Sequence, residues 1–215
     1  MKIVIKIGGS LSIGKNGPRF KYFKKLLPIL KKIDKEHQLI LVIGGGKLIR
    51  KYYDAIKKFN LSNEEMEWIA IDMLRVNVRF LSFLMKKKPI FRIEELNEKS
   101  EGIIGGVFPG RSTDANAAYA AKAIKADLLI KLTDVDGIYD KDPKRFKNTK
   151  KIDNLSFDEL RNYINDEAPG SYGILDRLAI ETIIKNKIKT IIMNGKKPEN
   201  LLKVLKGEKI GTLIS

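Results

Sequence analysis

A chain of 215 residues with a hydrophobic fraction of 43% can bury one full-sized core. No apolar run approaches the roughly 18 residues that span a bilayer, and lysine breaks the opening residues too early for a signal peptide, so a cytoplasmic protein without membrane contact is expected. The absence of cysteine excludes disulfides, thiolate nucleophiles and cysteine metal sites. The formal charge of +16 comes from lysines scattered along helical stretches, such as Lys24, Lys25, Lys31, Lys32, Lys57 and Lys58. Scattered charges of this kind predict solvated faces and not a nucleic-acid partner.

Apolar runs and helical periods alternate from end to end. Residues 1–7 are rich in β-branched residues and run into Gly8-Gly9-Ser10, the pattern of a buried strand ending in a tight turn. Phe20, Phe23, Leu27, Leu30 and Ile33 recur at helical spacing, with Pro28 expected to kink that helix. A second strand over 39–43 meets Gly44-Gly45-Gly46 and the helical pattern Leu48, Tyr52, Ala55, Phe59. Asn63 is the expected N-cap of a long helix reaching Leu84. A strand over 102–107, a small-residue helix over 112–125 and a strand over 127–132 follow. The chain then repeats the alternation with a helix over 178–185, a strand over 189–193, a helix over 198–206 and a strand over 209–214. Buried strands alternating with helices predict an α/β fold, an αβα sandwich around a mostly parallel central sheet, in one domain covering 1–215. Ligands of such sheets sit at strand C-termini, where the glycine turns lie.

Three glycine turns follow strands: Gly8-Gly9-Ser10, Gly44-Gly45-Gly46, and Gly105-Gly106 leading to Pro109-Gly110. Glycine lets backbone approach an anion, so three such turns could hold a chain of phosphates, although strand-to-helix turns use glycine for packing as well. There is no GxxxxGK[ST] loop and no GxGxxG after a strand. Lys6 precedes the first turn, and Arg50 lies one helical turn beyond the second, where a guanidinium can hold a phosphate in bidentate fashion. Carboxylates gather in Thr133-Asp134-Val135-Asp136-Gly137-Ile138-Tyr139-Asp140 and at Asp142-Pro143; they could orient Mg²⁺ or a ribose, or simply form an Asp-Gly hairpin turn. Asp114, behind Ser112-Thr113, sits where a carboxylate suits a helix N-terminus. The only histidine, His37, precedes a strand on an expected exposed loop, so neither histidine acid–base chemistry nor a histidine metal site is expected. Phosphoryl transfer needs none, because positioning and charge neutralisation carry it.

These pieces, in this order, resemble the amino-acid kinase superfamily. The matching stretches are Ile5-Lys6-Ile7-Gly8-Gly9-Ser10-Leu11, Val42-Ile43-Gly44-Gly45-Gly46-Lys47, Gly110-Arg111-Ser112-Thr113-Asp114-Ala115 and Leu132-Thr133-Asp134-Val135-Asp136-Gly137-Ile138-Tyr139. Asp142-Pro143, Leu175-Asp176-Arg177-Leu178-Ala179 and the closing Gly211-Thr212 extend the likeness over the whole chain. Within the superfamily the chain is most similar to archaeal UMP kinases, sharing Gly44-Gly45-Gly46-Lys47-x-x-Arg50-Lys51-Tyr52, the Arg75-x-Asn77 pair and Pro109-Gly110-x-Ser112-Thr113.

The resemblance implies an ATP- and Mg²⁺-dependent kinase that converts a small phosphomonoester to a diphosphate, as a homo-oligomer, a dimer or a hexamer. It implies an acceptor-binding N-terminal lobe over about 1–125 and an ATP-binding lobe over about 126–215. Lys6 would neutralise the transferring phosphoryl group, and Asp114 would organise the active-site cations. Gly8, Gly9, Ser10, Thr133, Asp134, Asp136, Gly137, Tyr139, Asp142 and Pro143 would line the ATP site. Gly44, Gly45, Gly46, Arg50, Glu67, Gly105, Gly106, Ser112 and Thr113 would receive the acceptor.

The chain departs from the UMP-kinase pattern where the acceptor's non-phosphate part should sit. Glu67-Trp68-Ile69-Ala70-Ile71 stands in place of Asp-x-x-Gly-Ile, and Val107 replaces a threonine. A longer acid and an added methyl would crowd a ribose. The Trp-x-Ala-Ile element is similar to the methanogen kinase of methanofuran biosynthesis, whose acceptor is an aminomethyl-furan-methyl phosphate. UMP and that furan phosphate are therefore both candidate acceptors, and a non-catalytic nucleotide-binding module is the alternative of another class.

Overall fold

The computed structural model describes residues 1–143, 145–164 and 174–215. The first half contains β1 (Lys2–Ile7), α1 (Gly9–Ser12), the small hairpin β2 (Ile13–Gly14) and β3 (Gly17–Pro18), and α2 (Phe20–Glu36). Next come β4 (Gln38–Ile43), α3 (Gly46–Ile56), α4 (Asn63–Met85), β5 (Pro89–Ile90), β6 (Gly102–Ile104) and α5 (Thr113–Ile124). The second half contributes β7 (Leu128–Thr133), β8 (Ile138–Tyr139), β9 (Lys151–Ile152), β10 (Asn154–Leu155) and α6 (Phe157–Leu160). It ends with α7 (Arg177–Lys185), β11 (Thr190–Asn194), α8 (Asn200–Leu205) and β12 (Thr212–Ile214).

Among the described residues, eight strands form one sheet in the order β10-β12-β11-β7-β1-β4-β6-β5. The six from β11 to β5 run parallel, and β12 pairs antiparallel with β11. The αβα sandwich expected from the alternation is therefore present. β1 lies in the middle and is buried on both faces. Ile3, Ile5 and Ile7 pack under α2, α4 and α8, while Val4 packs under α5 and α7. The alanines of α5 (Ala117, Ala118, Ala120 and Ala121) let that helix lie close against the sheet.

Several local expectations change. Ser62, not Asn63, caps α4: its hydroxyl accepts the Glu65 N–H while the Glu65 carboxylate accepts the Ser62 N–H. This closed capping box satisfies two helix-end donors, which Asn63 inside the first turn cannot do. α2 runs on through Pro28, an exposed position where the carbonyl freed by the missing N–H can face water. β6 stops at Ile104, so Gly105 and Gly106 leave the ladder to pass close beneath Val78 and Leu74 of α4. Asp136-Gly137 does not make a hairpin between β7 and β8, since β8 pairs with β9. His37, at the C-cap of α2, is half-buried with its Nδ1 atom out of solvent.

Candidate active site

The site forms where the C-terminal ends of three parallel strands meet. Ile7 pairs in register with Ile43 on one side and Leu132 on the other, so the segments after β1, β4 and β7 emerge side by side. Gly8 donates its N–H to the Leu132 carbonyl at 3.0 Å, and Gly44 donates to Ile7 at 3.3 Å. The first two glycine turns then interlock, backbone against backbone. A Cβ on Gly9 would meet the Gly46 nitrogen at 2.3 Å, and one on Gly46, where φ is +66°, would meet the Ile13 and Gly9 carbonyl oxygens at 2.4 and 2.5 Å. Mutual packing therefore requires glycine at these two positions, whatever they bind.

Beneath the turns lies a buried charge cluster. Lys6 on β1 and Lys131 on β7 are register partners on the sheet face that α5 covers, with only 7% and 6% of their surface exposed. Both reach one carboxylate, that of Asp114 in the first turn of α5. Lys6 Nζ lies 3.0 Å from Oδ1, and Lys131 Nζ lies 2.8 Å from Oδ2. Burial works against the Asp114 charge, but Lys131 and Lys6 together outweigh it and hold the carboxyl down at about 2. For Lys131, burial dominates: aided by Lys6 and opposed by Asp114, it brings the amine down to about 8. Asp114 thus carries two ion pairs as well as facing a helix N-terminus.

Ser112 caps α5 by accepting the N–H groups of Asp114 and Ala115, each at 3.0 Å, and donates its own hydroxyl to Asp176, the N-cap of α7. Lys131 also donates to the Ile174 carbonyl, just ahead of that cap. The segment leading into α7 is thereby tied to the lysine pair. Lys131 and Asp176 were not among the expected site residues. Lys131 reads as one more residue of a strand, and its only sequence signal is a lysine inside the otherwise apolar run 128–132.

Beside the cluster opens a cleft of about 560 Å³ between α3, α4 and the loop preceding α5. Gly45, Gly46, Arg50, Glu67, Gly106, Ser112 and Thr113, all named above as candidate acceptor residues, line it together with Ala70, Phe108 and Arg111. Arg50 is exposed and has no ion-pair partner among the described residues, which leaves its guanidinium available to an anion. Gly44 and Gly105 do not line the cleft: Gly44 packs against Gly9, and Gly105 lies under Val78. Glu67 is already engaged, its Oε2 accepting the Gly110 N–H at 2.5 Å. Arg75 stacks over Trp68 and Phe91 and pairs with Asp72 at 2.7 Å, away from the cleft.

On the other side of β1, the expected ATP residues other than Gly8, Gly9 and Ser10 lie at or beyond the end of β7. Asn194 at the end of β11 donates to Asp136 at 2.8 Å, and the Thr212 hydroxyl accepts the Ile138 N–H at 2.8 Å, packing against Gly137. Asp142 pairs with Arg145 at 3.5 Å. Thr133, Asp134 and Tyr139 are half-buried along the same edge, Pro143 follows Asp142, and Ser10 is exposed at the start of α1. Gly195 donates to the Thr133 carbonyl at 2.8 Å, so the end of β11 joins this side as well. Among the described residues no helix is long and apolar enough to cross a membrane.

The chain matches the amino acid kinase family over residues 1–94 and 72–194. It is 37% identical to a uridylate kinase of Thermococcus kodakarensis, over all of this chain and 99% of that protein. A uridylate kinase of Methanobrevibacter smithii is 35% identical with the same coverage. The crystal structure of uridylate kinase from Archaeoglobus fulgidus is similar with a TM-score of 0.86 at 34% identity, both chains being covered in full. The isopentenyl phosphate kinase of T. acidophilum, seen in a product complex, shares the fold at 21% identity with a TM-score of 0.68, again over both whole chains. The family match and these full-length likenesses show that the chain belongs to the amino acid kinase family.

Proposed function

We propose that this protein is an ATP-dependent kinase that phosphorylates the phosphate group of a small phosphomonoester, with UMP as acceptor and UDP as product. The observation that carries this proposal is the lysine pair held by Asp114 between a cation-bearing cleft and the Asp-rich edge after β7. The whole-length relatives named uridylate kinases support UMP as the acceptor.

In this scheme Arg50 binds the acceptor's phosphate, and one of that phosphate's oxygens attacks the γ-phosphorus of ATP. The new O–P bond forms as the bond to the β–γ bridging oxygen breaks, and ADP leaves with the electron pair. The attacking oxygen is already anionic, so no general base is needed, which suits a site without histidine. Lys6 and Lys131 offset the charge spread over the transferring oxygens, and Asp114 keeps both amines aimed at one point. Both Asp114 oxygens are held by lysines, so that carboxylate is not free for a metal. The exposed Asp136 is the carboxylate that would face Mg²⁺ here; when bound with ATP, the ion would neutralise phosphate charge.

A second acceptor, the aminomethyl-furan-methyl phosphate, is favoured by one feature: Glu67 and Ala70 line the cleft where UMP kinases favour aspartate and glycine. The two are separated by ADP release with ATP and Mg²⁺, measured against UMP, CMP, AMP, isopentenyl phosphate and the furan phosphate. The highest kcat/KM on UMP supports the first, and the highest on the furan phosphate supports the second. Failure to release ADP with any monoester would overturn the kinase assignment.

A further inference from the structure

The loop over residues 108–111 roofs the acceptor cleft, yet no backbone–backbone hydrogen bond anchors it among the described residues. Side chains hold it. Glu67 of α4 accepts the Gly110 N–H, which Gly110 presents from a left-handed conformation at φ +75°. The neighbouring Trp68 meets Phe108 edge to face, with ring centres 5.8 Å apart. Arg111 lies over the Tyr119 ring of α5, 5.0 Å from its centre. Two consecutive residues of one rigid helix thus grip the loop at two points. We propose that Glu67 is a positioning residue that determines acceptor specificity: by clasping Gly110 it holds the loop on α4 and sets the width left for the acceptor's non-phosphate part. It rests on the reading of this cleft as the acceptor site. Glutamate reaches one methylene further than aspartate, so the clasp depends on side-chain length; its carboxylate, occupied by the loop, serves the acceptor through the roof and not by direct contact.

Trp68 is the only tryptophan of the chain, and it touches the loop, so its fluorescence reports the clasp directly. In ligand-free protein, amide hydrogen exchange at Gly110 and acrylamide quenching of Trp68 are compared for wild type, Glu67→Gln, Glu67→Asp and Glu67→Ala. Glutamine keeps an accepting oxygen at the same reach, whereas aspartate retracts it. Glu67→Asp and Glu67→Ala are expected to speed Gly110 exchange by about fivefold or more and to expose Trp68, with Glu67→Gln closer to wild type. Acceptor KM should rise in the order Glu67→Gln, then Glu67→Asp and Glu67→Ala, with kcat at saturating acceptor changing less. Wild-type exchange and quenching in Glu67→Asp would overturn the clasp. A KM that rises more in Glu67→Gln than in Glu67→Asp would overturn it too, by showing that the charge meets the acceptor itself. Because exchange and quenching need no ligand, a wild-type protein inactive on every monoester would instead count against the kinase reading alone.

Discussion

Replacing Asp114 with asparagine keeps the shape of the side chain and removes the one negative charge shared by two buried amines. Lys6 and Lys131 would then face each other with no carboxylate between them. Burial already brings Lys131 down to about 8 against the support of Asp114. Without that support its pKa falls further, with Asp176 left as the nearby anion that opposes the fall. At pH 8 the variant therefore holds Lys131 neutral and aims one charge fewer at the transferring phosphoryl group. Losing a preorganised charge of this kind costs about 2.7–4 kcal/mol, or about 10²–10³ in kcat. Breaking a buried ion pair also costs about 3–5 kcal/mol of stability, so Tm must be measured and the assay run well below it. ADP release at saturating substrates from pH 6 to 9 checks the prediction. Wild-type activity should fall on the alkaline side as Lys131 loses its proton near pH 8, and in the variant this fall should move to lower pH. Stability follows the same groups. Asp114 titrates lower when folded than its ordinary 3.8, so it stabilises the fold above that value, and this contribution is lost as pH falls towards about 2. Lys131 titrates below its ordinary 10.5 when folded, so the unfolded chain binds more protons between about 8 and 10.5, and stability rises with pH across that window. A variant kcat within about threefold of wild type at pH 8, with the alkaline fall unmoved, would refute the shared-carboxylate account.

Lys6→Ala should lower kcat by about 10²-fold with little change in acceptor KM, read from steady-state ADP release, because its charge serves the transition state. Arg50→Ala should raise acceptor KM by about 10- to 150-fold while ATP binding, followed by calorimetry, stays nearly constant. Equal weakening of ATP would place Arg50 on the wrong phosphate. Gly46→Ala would drive a Cβ to 2.4 Å from the Ile13 oxygen at a left-handed φ, so thermal unfolding should show a loss of at least about 2 kcal/mol, about 4–8 °C in Tm.

By itself the amino-acid sequence determined the layers and the chemistry on offer. The run 39–43 is apolar at every position, and 1–7 departs from this only at Met1's neighbour Lys2 and at Lys6, because parallel strands are buried on both faces, and the helical stretches between them carry an apolar stripe. The family's motif order, from Lys6-Ile7-Gly8-Gly9 to Asp134-Val135-Asp136-Gly137, is also a property of the chain alone. Even the caps were present as Ser62-x-x-Glu65 and Ser156-x-x-Glu159, although Asn63 is an equally good cap by residue type. Only the tertiary structure decided which charges meet. Lys131 lies 125 positions from Lys6, and a period of two tells that each lysine faces one side of a strand but not which strands are neighbours or in what register. The same holds for Glu67, whose partner is a backbone N–H in a loop 43 positions away, and for Gly9 and Gly46, whose need for glycine arises from each other. Periodicity is a local consequence of backbone geometry, whereas register, close approach and shared charge come from the packing of segments that sequence distance keeps apart.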